Sequence, residues 1–87
     1  MEHEYTVAAN GKPVGKVTVR RQGLYYYFSC RCRLSGDVIY RLMVNSGKIR
    51  ENLGVLVPLD GSFVLDRKLP VKQIGEGELS FFLKATL

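Results

Sequence analysis

Cys30 and Cys32 are the pair of residues best suited to redox or metal chemistry. On a strand, residues i and i+2 share one face at roughly 6.5–7 Å. A disulfide wants Cβ atoms about 3.5–4.5 Å apart, so a bond between these two would break the strand. A CxC pair also suits zinc or copper, but such sites need further thiolates or imidazoles. The chain has no third cysteine and one histidine, His3. A second copy of the chain could bring another pair across an interface. The reading taken is two reduced thiols packed as small hydrophobes, with no metal and no cofactor.

A general base needs a fixed pocket and an orienting partner. His3 lies near the terminus between Glu2 and Glu4, where neither is expected. Asp37, Asp60, Asp66 and Glu76 are scattered beside glycines and other turn residues, and turn chemistry accounts for acids there. No glycine-rich loop leads into a helix, and no nucleophile-elbow motif occurs. The sequence is therefore read as that of a non-enzyme.

One stretch remains, LYYYFSCRCR at Leu24–Arg33. Its even positions (Leu24, Tyr26, Phe28, Cys30, Cys32 and Leu34) make a credible core face. The odd ones are Tyr25, Tyr27, Ser29, Arg31 and Arg33. Asp37–Ser46 repeats the pattern, with Val38, Tyr40, Leu42 and Val44 set against Ile39, Arg41, Met43 and Asn45. Paired residues of a hairpin share a face. A hairpin of these two segments, turning at Ser35–Asp37, pairs Cys32 with Tyr40 and Cys30 with Leu42. Its outer face then carries Tyr25, Tyr27, Arg31, Arg33, Arg41 and Met43, with Arg31 opposite Arg41. These six are the candidate binding residues.

Three ligand classes suit such a face. A protein partner or a second copy comes first, because Tyr, Met and Arg are enriched at interface cores. Single-stranded nucleic acid is the alternative, with bases stacked on tyrosines and phosphates on arginines, as on OB-folds. A glycan on the aromatic platform is the third. The bland reading is a half-exposed strand, since Tyr is a good strand former.

The elements that must hold this face are strands. Gly and Pro recur about every ten residues, between short segments rich in Val, Tyr, Phe and Leu, which is the pattern of a sandwich or barrel. Strands are expected over Glu4–Ala9, Lys16–Arg21, Leu24–Leu34, Asp37–Ser46, Leu53–Pro58, Ser62–Leu65 and Glu78–Leu87. Asn10-Gly11 signals a hairpin, with Pro13 and Gly15 suggesting a turn longer than two residues. Leu53–Pro58 reads as one buried strand. Lys72–Gly77 reads as loop with at most one helical turn. The expected core includes Val17, Val19, Tyr26, Phe28, Cys30, Leu42, Val55, Leu65, Phe81 and Leu83.

Eighty-seven residues, 46% apolar and 24% charged, make a single globular domain over 1–87 with little stability to spare for buried polar groups. Residues 1–50 carry nine Lys/Arg against three acids, and residues 51–87 carry four against five. A basic half suits a polyanion, although no basic run exceeds two residues. No stretch approaches a membrane span, and the acidic N-terminus lacks a signal-peptide pattern. The expected location is the cytoplasm.

GLYYYFSCRC at Gly23–Cys32, NLGVLVPLDGSFVL at Asn52–Leu65 and KLPVKQIGEG at Lys68–Gly77 resemble a group of small bacterial proteins of gut anaerobes with no assigned activity. The resemblance spans most of the chain. It implies a bacterial cytosolic protein and transfers no catalytic or binding residue. The fold class reached is all-β, a small antiparallel sandwich or partly open barrel of about seven strands. The function reached is a non-catalytic interaction module.

Overall fold

The computed structural model describes residues 2–34 and 38–86, with Thr86 described by its backbone alone. Eight strands and one helical turn follow in order: β1 Glu2–Ala9, β2 Lys12–Gln22, β3 Tyr25–Cys32, β4 Ile39–Ser46, β5 Ile49–Val55, β6 Val57–Leu59, β7 Ser62–Pro70, α1 Val71–Ile74 and β8 Leu79–Thr86. They form one sheet in the order β5-β4-β8-β1-β2-β3-β7-β6. The sheet curls into a nearly closed barrel. All neighbours are antiparallel except β1 and β8, which meet in parallel at Val7–Phe81 and Ala8–Phe82.

The hairpins are tight. Ala9 pairs with Lys12 and Leu59 with Ser62, so each turn has two residues. Asn10 and Asp60 take φ of 52° and 50°, the left-handed region such turns require. The longer first turn expected from Pro13 and Gly15 is corrected. Both residues lie in β2, and Val14 is absorbed as a bulge, because Ala8 pairs with Pro13 but Val7 with Gly15. β7 likewise runs past Leu65 to Pro70.

β3 and β4 are not hairpin partners. β3 is paired on one edge with β2 and on the other with β7, along its whole length. No edge is left for β4, which lies between β5 and β8. The expected turn at Ser35–Asp37 lies outside the described residues.

The interior is one apolar cluster. Val7, Val17, Val19, Tyr26, Phe28, Cys30, Cys32, Leu42, Val44, Leu53, Leu56, Phe81 and Leu83 are buried in it, and Leu65 is half-buried against it. Val55 was expected inside and is exposed. A bulge explains this: Leu42 pairs with Gly54 but Met43 with Asn52, so Leu53 is an extra residue. Gly54, at φ 131°, has the backbone freedom the bulge requires. Leu53 and Leu56 then point inward while Val55 and Val57 point out. Leu24, counted on the core face, sits in the β2–β3 turn and is 77% exposed. Val71 and Ile74 of α1 join the core, and the Val71 N–H donates to the Leu24 carbonyl at 2.8 Å.

Gly15 of β2 packs against the β3 backbone with no room for a side chain. A Cβ there would lie 2.3 Å from the Arg31 carbonyl oxygen and 2.7 Å from Cys32 Sγ. The Arg31 carbonyl and the Cys32 Cα, at 2.6 Å, are backbone of β3 and cannot yield as a flexible side chain would. Gly15→Ala is expected to lower the unfolding free energy by at least about 2 kcal/mol, read from urea denaturation. A loss under about 0.5 kcal/mol, the range of neutral surface changes, would show that the strands separate easily.

Candidate functional site

The outward positions of β1, β2, β3 and β7 build the candidate face in rows. Tyr25 stands between Gln22 and Pro70, Tyr27 between Arg20 and Lys68, Ser29 between Thr18 and Asp66, and Arg31 between Lys16 and Val64. Successive rows are about 6.6 Å apart, two residues of strand rise. Hydrophobic alternation fixes this arrangement, since Tyr26, Phe28, Cys30 and Cys32 fill the opposite side of β3.

Cations cover the tyrosines. Lys68 Nζ lies 4.4 Å from the centre of the Tyr25 ring and 5.8 Å from that of Tyr27, and the Arg20 guanidinium lies 5.2 Å from Tyr27. Such contacts are worth about 0.5–1 kcal/mol at exposed sites, enough to order long side chains without locking them. Beside Tyr27 the surface dips into a concavity of about 410 Å³. Thr18, Ser29 and Asp66 line it with hydroxyl and carboxylate oxygens, and Arg20, Arg67 and Lys68 rim it.

Further along the same strands Lys16 and Arg31 stand directly opposite each other. Like charges so placed repel. Lys16 is held at 3.0 Å by Glu4. Arg31 and Arg33 line a second groove with Lys16 and Ser62. The Arg33 N–H donates to the Val14 carbonyl at 2.8 Å, which continues the β2–β3 pairing past Cys32.

The six residues singled out from sequence therefore divide. Tyr25, Tyr27, Arg31 and Arg33 share one face. Arg41 and Met43 lie on β4, with β8, β1 and β2 between. Arg41 faces Lys84 and Val55, not Arg31, and Met43 faces Phe82 and Asn52. Sequence reading missed Lys16, Arg20 and Lys68, which tertiary pairing brings beside the tyrosines. The outward positions of Lys16–Arg21 were legible, but their register against β3 was not.

The cysteines lie on the other side of β3, inside the barrel. Their Sγ atoms are 3.6 Å apart in a thiol–thiol hydrogen bond, closer than backbone spacing suggests because the side chains lean together. Both are free and buried. Among the described residues no group of three or more His, Cys, Asp or Glu is placed to hold a metal ion. Among the described residues no helix is long and apolar enough to cross a membrane. Searches against protein-family models, curated proteins and solved structures found no match to the chain.

The hydrogen bond to Cys32, followed by burial, pushes the Cys30 thiol far above its ordinary range. Unfolded, it titrates near about 8.5. Below that pH both states hold the proton and stability is unaffected. Above it the unfolded state loses the proton first, so stability falls, by up to about 1.4 kcal/mol per pH unit for one thiol. The same hydrogen bond holds the Cys32 thiol below its ordinary range, which opposes the loss at its onset, while either thiol left alone is raised by burial. Urea titrations between about pH 8 and 10 should show the alkaline loss, and Cys30→Ala combined with Cys32→Ala should flatten it. An equal slope in the variant would assign the loss to other groups.

Proposed function

We propose that this protein is a non-catalytic interaction module, active in the bacterial cytoplasm, that binds single-stranded nucleic acid on the outward face of β2, β3 and β7. The observation that carries the reading is the row of Tyr25 and Tyr27 flanked by Arg20 and Lys68 and continued by Lys16, Arg31 and Arg33. Aromatic rings at strand spacing suit successive bases, and a line of cations suits the backbone that joins them. Lys68 and Arg20 already rest on the rings; a base stacking there turns them toward phosphate. Thr18, Ser29 and Asp66 supply hydrogen-bonding oxygens for base edges beside Tyr27. Glu4 offsets part of the Lys16–Arg31 repulsion, and what remains favours an anion beside Arg31. A protein partner on this same face is less well supported, because Ile39 and Met43, which gave it apolar character, are three strands away.

Fluorescence anisotropy of a mixed-sequence single-stranded oligonucleotide, at low and moderate salt, tests the reading. Binding is expected to weaken steeply with salt. Tyr25→Ala combined with Tyr27→Ala should weaken it at least about tenfold. Arg31→Ala should reduce the salt slope by about 0.7. No binding at low salt, or binding indifferent to all three substitutions, would refute the proposal.

A further inference from the structure

The opposite side of the barrel carries a second surface of different composition. Met43 of β4 pairs with Phe82 of β8, and Phe82 with Ala8 of β1. The Arg50 guanidinium lies 5.3 Å from the centre of the Phe82 ring, and its Nε donates to Asn45 Oδ1 at 3.2 Å. Arg41 stands between Lys84 and Val55. The Leu56 N–H donates to the Tyr40 carbonyl at 3.0 Å, and that register sets Val57 beside Ile39. An aliphatic ridge thus runs on from Met43 and Phe82. In it Ile39 is 54% and Val57 53% exposed; Val57 also pairs with Val64 of β7.

Among the described residues of β4, β5 and β8 the outward charges are cations. β4 and β8 contain no acid, and the single acid of β5, Glu51, pairs with the inward Val44 and accepts a hydrogen bond from Gln73. Other carboxylates border its ends: Glu78 beside Asn45 and Ser80, and Asp60 next to Leu59 in the β6–β7 turn. Arg41 and Lys84 repel each other across the ladder with no carboxylate between them among the residues paired with either. The mixture of Met, Phe, aliphatic side chains and Arg is that of an interface core. Among its described residues the surface lacks the adjacent outward tyrosines of the other face.

We infer that the β5–β4–β8 surface, with Ile39 and Val57 at its end, docks a partner protein that presents apolar residues flanked by carboxylates. Carboxylates between Arg41 and Lys84 relieve the repulsion there, while apolar side chains cover Met43, Phe82 and the ridge. A second copy of this chain is the poorer occupant. A two-fold pairing of this surface with itself brings Arg41, Arg50 and Lys84 toward their own kind. The protein then joins a polyanion on one side to an acidic protein on the other.

The test uses the full chain, labelled for backbone amide NMR, and two short soluble peptides. One alternates leucine with glutamate and the other leucine with lysine. The glutamate peptide is expected to shift Ile39–Met43, Val55–Val57 and Phe82–Lys84 and to leave Tyr25–Arg33 unmoved. Arg41→Glu combined with Lys84→Glu should weaken it at least about tenfold and create binding of the lysine peptide. That gain separates lost complementarity from a misfolded variant. Equal response to both peptides, shifts confined to Tyr25–Arg33, or no shifts would overturn the inference. So would concentration-dependent broadening of the same amides without peptide, which would assign the surface to a second copy. Failure of oligonucleotide binding would leave this result untouched, because the two surfaces share no tested residue.

Discussion

The structure depends on one crossing of the chain. Between Leu53 and Val57 the backbone leaves β4 and joins β7, and that passage turns an open sheet into a nearly closed barrel. Three local features make it work. Gly54 takes a φ that a side chain would oppose, its N–H is satisfied at 2.9 Å by Asn52 Oδ1, and the Leu56 N–H finds the Tyr40 carbonyl. Leu53 and Leu56 therefore both reach the interior across a bulge. Without the crossing, β4–β5 and β6–β7 would be separate ends of one sheet, each with an unpaired edge.

Closure decides what the surface looks like. A barrel has one inside, and this one is filled by aliphatic and aromatic side chains with two thiols among them. Every charge must then lie outside. In a chain of this size an unpaired buried ion would consume a large part of the marginal stability. The cations are not spread evenly. Lys16 faces Arg31 across one ladder and Arg41 faces Lys84 across another. Each pair costs the free protein a little and favours an incoming anion. The neighbours of each pair differ: tyrosines and hydroxyls on one side, Met43, Phe82 and an aliphatic ridge on the other. The same electrostatic device thus stands in two different chemical settings.

Much of this was legible residue by residue. The alternation in β3 and β4 gave the inward Phe28, Cys30, Leu42 and Val44, and it put Tyr25, Tyr27, Arg31 and Met43 outside. Asn10-Gly11 and Asp60-Gly61 marked two turns, the first of which is tighter than Pro13 and Gly15 suggested. Helical content was limited to one turn, as the sequence suggested for the segment after Pro70. The misreadings share a cause. Val55 and Leu24 were assigned to the core because a bulge and a turn shift the period of two, and neither shift shows in a string of apolar letters. The β3–β4 hairpin was inferred because adjacent segments often pair; β7, distant in sequence, took that edge.

The sequence alone determined which side of each strand is wet and which is dry, because the pleat sends alternate side chains to opposite faces and water sorts them. It fixed the all-β class, the free thiols' place on the dry side, and the excess of cations in the first half. Only the tertiary structure decided which wet positions are neighbours. Strand order depends on long-range pairing, and a hydrophobic pattern specifies register and face for a given partner without naming the partner. That choice separated Arg31 from Arg41, brought Arg20 and Lys68 onto the tyrosines, and made two surfaces where the sequence suggested one.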